Sequence, residues 1–202
     1  MLRRVAIISA LLALAACATT MTGPSGGSIF TPQPRAAWDS APQGREWTAA
    51  ARAAIDSAGP ALVTGTPKDI AAYCPNYAAL DPTTRRDFWV VALSQIAQLE
   101  SGLDPARASA DGRRGLLQIS GDAARRYGCA AASDAQLLDP AQNIACGAKI
   151  MAQTSGVDTY VAGYSEGWRG ASRYWVELRK PENVADLQSL LNAQSFCARR
   201  SS

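Results

Sequence analysis

One apolar segment, DPTTRRDFWVVALSQIAQLES at residues 81–101, constrains the fold most strongly. Asp81 and Pro82 suit the cap and the first position of a helix, and Gly102 suits its end. Four residues of the segment recur at spacings of four, three and four: Trp89, Leu93, Ile96 and Glu100. At about 100° per residue, these spacings return Glu100 to within roughly 20° of Trp89. The segment therefore predicts a core helix whose apolar face ends in a carboxylate.

A glutamate in this position has distinct chemistry. Because burial disfavours the charged form, we expect a raised pKa for Glu100 and a side chain that stays protonated near neutral pH. A general acid needs such a protonated carboxyl group. The helix alone leaves an alternative open, in which Glu100 pairs with an arginine at the end of a core helix.

The residues after this helix predict a small hairpin. They read LDPARASADGRRGLLQIS, and strand-like alternation is scarce in the chain outside residues 106–120. Asp111 and Gly112 form a hairpin-turn signal, and Gly115 permits a backbone conformation that other residues resist. The remainder is rich in alanine, and 48% of all residues are hydrophobic. The composition thus favours a mainly helical domain.

The helix end and the hairpin together carry a family resemblance. The segment ESGLDPARASADGRRGLLQIS resembles the ES...S..G..GLMQ signature of the lytic transglycosylase domain in the lysozyme superfamily. Downstream, DPAQNIACG at residues 139–147 is similar to the DP..NI..G start of a helix in that family. The resemblance covers about residues 74–179. It implies a mainly α, lysozyme-like fold with a small β-hairpin beside the active-site cleft.

The resemblance also implies roles for individual residues. Glu100 matches the catalytic glutamate, and Ser101 matches a serine that contacts substrate. Gln118 matches a glutamine that lines the sugar cleft, with Leu117 beside it as a second substrate-binding position. Plain core packing remains the alternative for Leu117, and a structural role remains open for Gln118.

The third motif of the family is less well matched. Family members carry an AYNAG string, and the nearest counterpart here is AGYSEG at residues 162–167. Tyr164 matches the tyrosine that orients the glutamate, which implies a place in the substrate site. Ser165 and Glu166 replace the asparagine and alanine. The alternative is that Tyr164 is a core or cleft-rim aromatic residue.

The implied reaction is cleavage of the β-1,4 bond between MurNAc and GlcNAc in peptidoglycan, by a single glutamate and without water, giving 1,6-anhydroMurNAc ends. One alternative is a hydrolytic lysozyme with a second carboxylate, for which Asp104, Asp111 and Asp122 are candidates. Each of these also suits a turn or a helix cap. Another alternative is a noncatalytic peptidoglycan-binding lipoprotein.

The ionisable residues exclude other mechanisms. The chain has no histidine, so Ser-His-Asp and Cys-His catalysis and histidine-ligated metal sites are excluded. We expect neither a metal nor a cofactor. Removing residues 1–16 would remove Arg3 and Arg4 and no acid, which lowers the formal net charge from +3 to +1. Strong attraction to nucleic acid is not indicated.

The N-terminal residues predict export and anchoring. Arg3 and Arg4 precede an apolar run too short to span a bilayer, as in a signal peptide of residues 1–16. Leu14-Ala15-Ala16-Cys17 resembles a bacterial lipobox, which implies that Cys17 is lipidated and attaches the protein to a membrane. Because Ala18 is not aspartate, we expect the periplasmic face of the outer membrane. An ordinary secretory signal remains the alternative.

The predicted organisation has three parts and two disulfides. After the signal peptide come a flexible tether with a short helix at residues 17–65 and the lysozyme-like domain at residues 66–202. Beyond Cys17 the chain has four cysteines, for which three pairings are possible. We favour Cys129 with Cys146, which would tie the loop after GLLQIS to the next helix, and Cys74 with Cys197, which would fasten the tail. Buried free thiols are the alternative.

Overall fold

The computed structural model describes residues 33–198, so Cys17 and the predicted signal peptide lie outside the described residues. Helices dominate this range: α1 (Gly44–Ser57), α2 (Ala61–Thr64), α3 (Pro82–Ser101), α4 (Gly121–Arg126), α5 (Asp134–Leu138), α6 (Pro140–Met151) and α7 (Pro181–Asn192). Short 3-10 turns and one π-helical turn, Ala152–Gly156, connect them. None of the described helices combines the length and apolarity needed to cross a membrane.

Helix α3 is the central element. Its residues are buried in an almost unbroken run from Asp87 to Ala97, so other elements surround it on every side. The Asp81 carboxylate accepts a hydrogen bond from the Thr84 amide at the start, and Pro82 occupies the first turn. Gly102, at φ +65°, ends the helix in the left-handed conformation. The helix predicted from residues 81–101 is confirmed at both ends.

The first described residues belong to the same core. Trp38 and Trp47 are buried and meet edge to face, with ring centroids 6.2 Å apart. Helix α1 contacts α3 and α6, and its Arg52 makes two hydrogen bonds, of 2.7 and 2.9 Å, to the buried Asp87 carboxylate of α3. Residues 36–57 fall within the segment for which the sequence predicted a tether with a short helix. Their tryptophans and this ion pair attach them to the domain instead.

The two ends of the described chain meet. The Arg35 amide donates to Gln194 Oε1 at 2.9 Å, and Gln194 Nε2 donates to the Arg35 carbonyl at 3.0 Å. Close by in the chain, Cys197 is bonded to Cys74, and the second disulfide joins Cys129 to Cys146. Both favoured cysteine pairings are confirmed.

Two small antiparallel hairpins complete the fold. In the first, β1 (Arg113–Arg114) pairs with β2 (Ile119–Ser120), so a hairpin is present where the sequence predicted one. Its turn is at residues 115–118, because Asp111 and Gly112 precede β1 and turn the chain inside an isolated bridge between Ala108 and Arg114. In the second, β3 (Ala162–Tyr164) pairs with β4 (Trp168–Gly170). Sequence patterning did not predict the second hairpin, because three glycines and Glu166, all at positive φ, shape it rather than apolar alternation. The observed architecture is mainly α with a hairpin beside the cleft described next.

Candidate active site

Glu100 lies in the last turn of α3 and faces an open cavity of about 380 Å³. The β1–β2 hairpin, α4 and the segment 174–176 form the walls. Polar and aromatic side chains share the lining: Asp111, Arg113, Gln118, Ser120, Asp122, Arg126, Tyr174 and Trp175. A larger groove of about 470 Å³ lies between α1 and α6, but its lining is mostly alanine and has no carboxylate. Acid–base chemistry therefore points to the Glu100 cavity.

The Glu100 carboxyl group is protonated to a substantial degree at neutral pH. Its side chain is only 3% exposed, and this burial raises its pKa to about 7. The Arg113 guanidinium, with Nη1 3.4 Å from Oε2, opposes the increase, while the Glu177 charge adds to it. Oε1 is buried and accepts no hydrogen bond from any described residue. Oε2 therefore faces Arg113, whereas Oε1 is a buried polar atom without a partner among the described residues.

Arg113 contacts both Glu100 and a second carboxylate, Asp111, whose pKa is shifted in the opposite direction. Its Nε lies 2.8 Å from Asp111 Oδ2, and the Asp111 side chain is exposed. A hydrogen bond from the Ser109 hydroxyl, followed by the Arg113 charge, lowers the pKa of Asp111. Asp111 thus stays ionised where Glu100 holds its proton. Two carboxyl groups with pKa values moved apart are a recurrent arrangement in acid–base catalysis.

The first hairpin is fixed to α6 by Asn143, which is fully buried. Asn143 Nδ2 donates to the carbonyls of Arg114 (2.9 Å) and Leu137 (2.8 Å), and Oδ1 accepts from the Leu117 amide (2.8 Å). Gly115, at φ +71°, is required beside it. A Cβ there would lie 2.3 Å from the Leu137 carbonyl oxygen and 2.6 Å from Asn143 Nδ2. The DPAQNIACG segment therefore supports the cleft wall rather than contacting the cavity.

Two aromatic residues after the second hairpin complete the wall. Trp175 Nε1 donates to the Leu117 carbonyl at 3.1 Å. Burial, together with the nearby Glu100 charge, raises the pKa of Tyr174 to about 12, despite a backbone hydrogen bond from Ser120. Tyr174 therefore keeps its hydroxyl proton beside Glu100. Sequence reasoning missed both residues and Arg113. The only signal was two adjacent aromatic residues in a polar stretch.

Of the predicted site residues, Glu100 and Gln118 line the cavity, whereas Ser101 and Leu117 are buried outside its lining. Gln118 adopts φ +47°, and its Nε2 donates to the Gly115 carbonyl at 2.8 Å. The Ser101 hydroxyl is buried and donates back to the Ala97 carbonyl at 3.0 Å. Leu117 is fully buried.

Leu117 packs so closely on α6 that it belongs to the core. A Cβ at Gly147 would lie 2.2 Å from Leu117 Cδ1. A side chain with no exposed surface cannot line a sugar cleft. The expected substrate contact is therefore corrected to core packing, because the main chain of residue 117 faces Asn143 and Trp175 while its side chain points at α6.

Tyr164 and Asp104 lie outside the lining of the Glu100 cavity, whereas Asp111 and Asp122 are part of it. Tyr164 lies on β3 and is 70% exposed, outside the lining of the Glu100 cavity. Asp111 and Asp122 line that cavity, whereas Asp104 accepts a hydrogen bond from the Ala106 amide in the turn after α3. The structure thus leaves two of the three aspartates near Glu100.

Comparisons with known proteins agree with this geometry. Residues 79–176 match the model of the transglycosylase SLT domain. Three solved structures of Bd0314 DslA, one wild type and two single Glu-to-Gln mutants, are similar at 30% identity. Their TM-scores are 0.75, 0.75 and 0.76, and each match covers 82% of this chain and 99% of that chain. A search of curated proteins finds no match.

The matched range begins before α3 and ends at Val176, so it contains Glu100, the first hairpin, Asn143 and the two aromatic residues of the wall. The resemblance read from the signature residues is therefore confirmed over the elements that build the cavity. With its lysozyme-like fold, the chain belongs to the transglycosylase SLT family, whose domain cleaves peptidoglycan glycan strands.

Proposed function

We propose that this protein cleaves the β-1,4 bond between MurNAc and GlcNAc by a single-glutamate, non-hydrolytic mechanism that leaves 1,6-anhydroMurNAc ends. One observation carries the proposal: Glu100 lines an open cavity, is buried with a pKa of about 7, and has one oxygen without a hydrogen-bond partner among the described residues. A group that titrates near the working pH can give a proton and then take one back.

The chemistry follows from that one residue. Glu100 first gives its proton to the glycosidic oxygen as the bond from that oxygen to C1 of MurNAc breaks. The resulting carboxylate then takes the proton of the C6 hydroxyl, and O6 bonds to C1 to close the anhydro ring. Glu100 ends protonated, and no water is consumed. Arg113, 3.4 Å from Oε2, stabilises the carboxylate between the two steps.

Hydrolysis is the second candidate, because Asp111 and Asp122 share the cavity with Glu100. Ionised Asp111 is the better placed to activate water or support charge, since Arg113 bridges it to the acid. The two Glu-to-Gln substitutions described for DslA lie eleven residues apart. Glu100 and Asp111 have the same separation.

Digestion of purified sacculi in ¹⁸O-water distinguishes these reactions. The proposed mechanism gives anhydro fragments without ¹⁸O, whereas hydrolysis gives reducing ends that carry it. Asp111→Asn is the matched control and should retain anhydro products. Reducing-end products that disappear in Asp111→Asn would establish the hydrolase instead, and a lack of any fragments would leave the noncatalytic peptidoglycan-binding role.

Membrane attachment through Cys17 at the periplasmic face of the outer membrane is part of the same proposal. The lipobox-like sequence before Cys17 supports it. Cys17→Ser should abolish palmitate incorporation and release the protein from the membrane fraction or leave it as precursor. Unchanged labelling and fractionation would contradict the anchor and leave the Glu100 chemistry unaffected.

A further inference from the structure

The tip of the second hairpin presents an exposed aromatic pair. Tyr164 on β3 and Trp168 on β4 lie directly opposite each other in the strand register. Their rings meet edge to face, with centroids 5.1 Å apart and planes at 79°. Tyr164 is 70% exposed and Trp168 is 37% exposed. Adjacent exposed aromatic side chains form a small apolar patch, and such patches are candidate contact surfaces for a ligand.

The base of this hairpin is firmly attached to the domain. The Asp69 carboxylate accepts hydrogen bonds from the amides of Val161 (2.8 Å) and Ala162 (3.2 Å). Asp158 accepts one from the Gly170 amide at 3.1 Å. A Cβ at Gly170 would lie 2.4 Å from the Val161 carbonyl oxygen, so the strands emerge from a closely packed base. The aromatic pair is therefore presented on a preorganised support.

Two arginines provide hydrogen-bond donors beside the rings. The Arg179 guanidinium lies 5.2 Å from the centroid of the Trp168 ring, and its Nε donates to the Ser172 carbonyl at 3.0 Å. Arg169 Nε donates to the Ser165 carbonyl at 2.9 Å. Neither arginine forms a salt bridge within residues 33–198. Their charge and remaining N–H groups are thus not consumed by carboxylates of the described chain.

A single short element links this aromatic face to the active-site cavity. The 3-10 helix Val176–Arg179 has Val176 at its start, where it lines the Glu100 cavity. Arg179 at its end stands over Trp168. The same short helix contacts both β3 and α3. The hairpin face is therefore connected to the cleft wall through this short helix.

We propose that the face formed by Tyr164, Trp168, Arg169 and Arg179 binds a sugar ring of the glycan strand beyond the bond cleaved at Glu100. A sugar offers C–H groups on its face and hydroxyls at its edge, which match exposed aromatic rings flanked by donor N–H groups. The proposal rests on the proposed function, because the same glycan strand must occupy the cavity. It gives Tyr164 a role away from the catalytic glutamate.

The distribution of tryptophans supplies a direct test of contact. The other four, Trp38, Trp47, Trp89 and Trp175, are each at most 4% exposed. Acrylamide quenching of tryptophan fluorescence therefore reports chiefly on Trp168. In the Glu100→Gln protein, purified glycan strands should reduce quenching at saturation, and the same strands should leave the residual quenching of Glu100→Gln/Trp168→Phe unchanged. Strands that bind without protecting Trp168 would overturn the proposal.

Kinetics on the active protein provide the second measurement. Tyr164→Ala should raise KM for long strands by about tenfold with little change in kcat, because the site contributes binding away from the reacting atoms. Tyr164→Phe, which keeps the aromatic ring, should retain most of the wild-type affinity for long strands. Val157→Ala, which shortens another exposed apolar side chain (69%) outside the hairpin, is the matched control.

Three outcomes have separate meanings. A long-strand KM that rises in Tyr164→Ala but not in Val157→Ala, with unchanged melting temperatures, supports the site. Equal KM values for Tyr164→Ala and wild type, with cleavage intact, overturn it while the Glu100 function stands. Wild-type protein that neither binds nor cleaves glycan strands refutes the proposed function and this site with it.

Discussion

The two hairpins of this domain use similar local structures for opposite purposes. Both are short antiparallel pairs shaped by residues at positive φ. The first is turned inward, with Asn143 and Trp175 bonded to its main chain and Leu117 buried beneath it. The second is anchored at its base and turned outward, with Tyr164 and Trp168 exposed at its tip. Hairpin form alone therefore does not indicate a role; the partners of its side chains do.

The largest effect is expected at the acid beside the inward hairpin. Glu100→Gln should reduce glycan cleavage by about a thousandfold or more, because the amide fills the same volume but cannot transfer a proton. Turnover of sacculi, with circular dichroism as the control for folding, measures it. If the variant retained about a tenth of wild-type activity, Glu100 would not be the catalytic acid, and the inward hairpin would not be the wall of a catalytic site.

Next in size is the anchor of the inward hairpin. Asn143→Asp should lower the free energy of unfolding by about 3–5 kcal/mol, because a buried negative oxygen would face the carbonyls of Arg114 and Leu137. Asn143→Ala is the matched comparison and should cost less. Urea denaturation checks both values. Equal stability of Asn143→Asp and wild type would show that the wall does not depend on this amide.

The Cys129–Cys146 bridge tests whether a local loss of stability affects the region of the inward hairpin before the outward one. It closes a loop of 17 residues, worth roughly 3 kcal/mol on the chain-entropy model. The Cys129→Ser/Cys146→Ser protein should melt earlier. Amide exchange should speed up first in residues 119–146, ahead of the second hairpin. Faster exchange at residues 162–170 than at residues 119–146 would contradict the assigned location of the effect.

A pH-dependent stability, similar in size to the effect of the disulfide, is expected from Glu100. The folded-state pKa of Glu100 is raised from 4.5 to about 7, so its contribution is complete below pH 4.5 and is lost as pH rises through 7. By linkage the loss approaches about 3 kcal/mol. The difference in unfolding free energy between wild type and Glu100→Gln isolates it, because other titrating groups cancel. If the difference in unfolding free energy did not change between pH 4 and 9, the pKa of Glu100 would be the same in the folded and the unfolded chain.

Arg113→Ala refines that measurement. Removing the guanidinium that lowers the pKa of Glu100 should raise this pKa further, so the stability loss and the alkaline limit of activity should both move to higher pH. Arg113→Lys retains a positive charge and is the control. A shift to lower pH in the alanine variant would contradict the assigned electrostatics.

The inward hairpin was predictable for the same reason that it is stable. Its positions are restricted by burial and by positive φ, so Gly115 and the apolar face leading to Glu100 leave a sequence pattern, although the turn signal at Asp111-Gly112 lies before β1 and not between the strands. The cysteine pairs were also predictable, because each favoured bridge joins segments that the fold must bring together. The restrictions on the hairpin act locally and therefore appear in the sequence, whereas the Cys74–Cys197 bridge spans 123 residues and leaves only an even number of cysteines beyond Cys17.

The remaining features depend on distant packing. Arg113, Tyr174 and Trp175 acquire their roles only when segments far apart in the chain meet at the cavity. The position of α1 depends on Arg52 reaching Asp87 across 35 residues. Leu117 was assigned to substrate from its neighbours, although Gly147, thirty residues away, leaves the space that its side chain fills. Periodicity and turn chemistry do not contain that information.

The meeting of the two ends of the described range, at Arg35 and Gln194, affects how a pull on its N-terminal side would be distributed. A pull applied at Gln33 would reach Arg35 within two residues and be shared with Gln194 through the paired hydrogen bonds. From there the covalent link between Cys197 and Cys74 carries it to the segment that precedes α3. The inward hairpin follows the opposite end of α3 and is held in addition by Asn143 of α6. A pull on the N-terminal side would thus be received next to the start of α3, at the end of that helix farthest from Glu100.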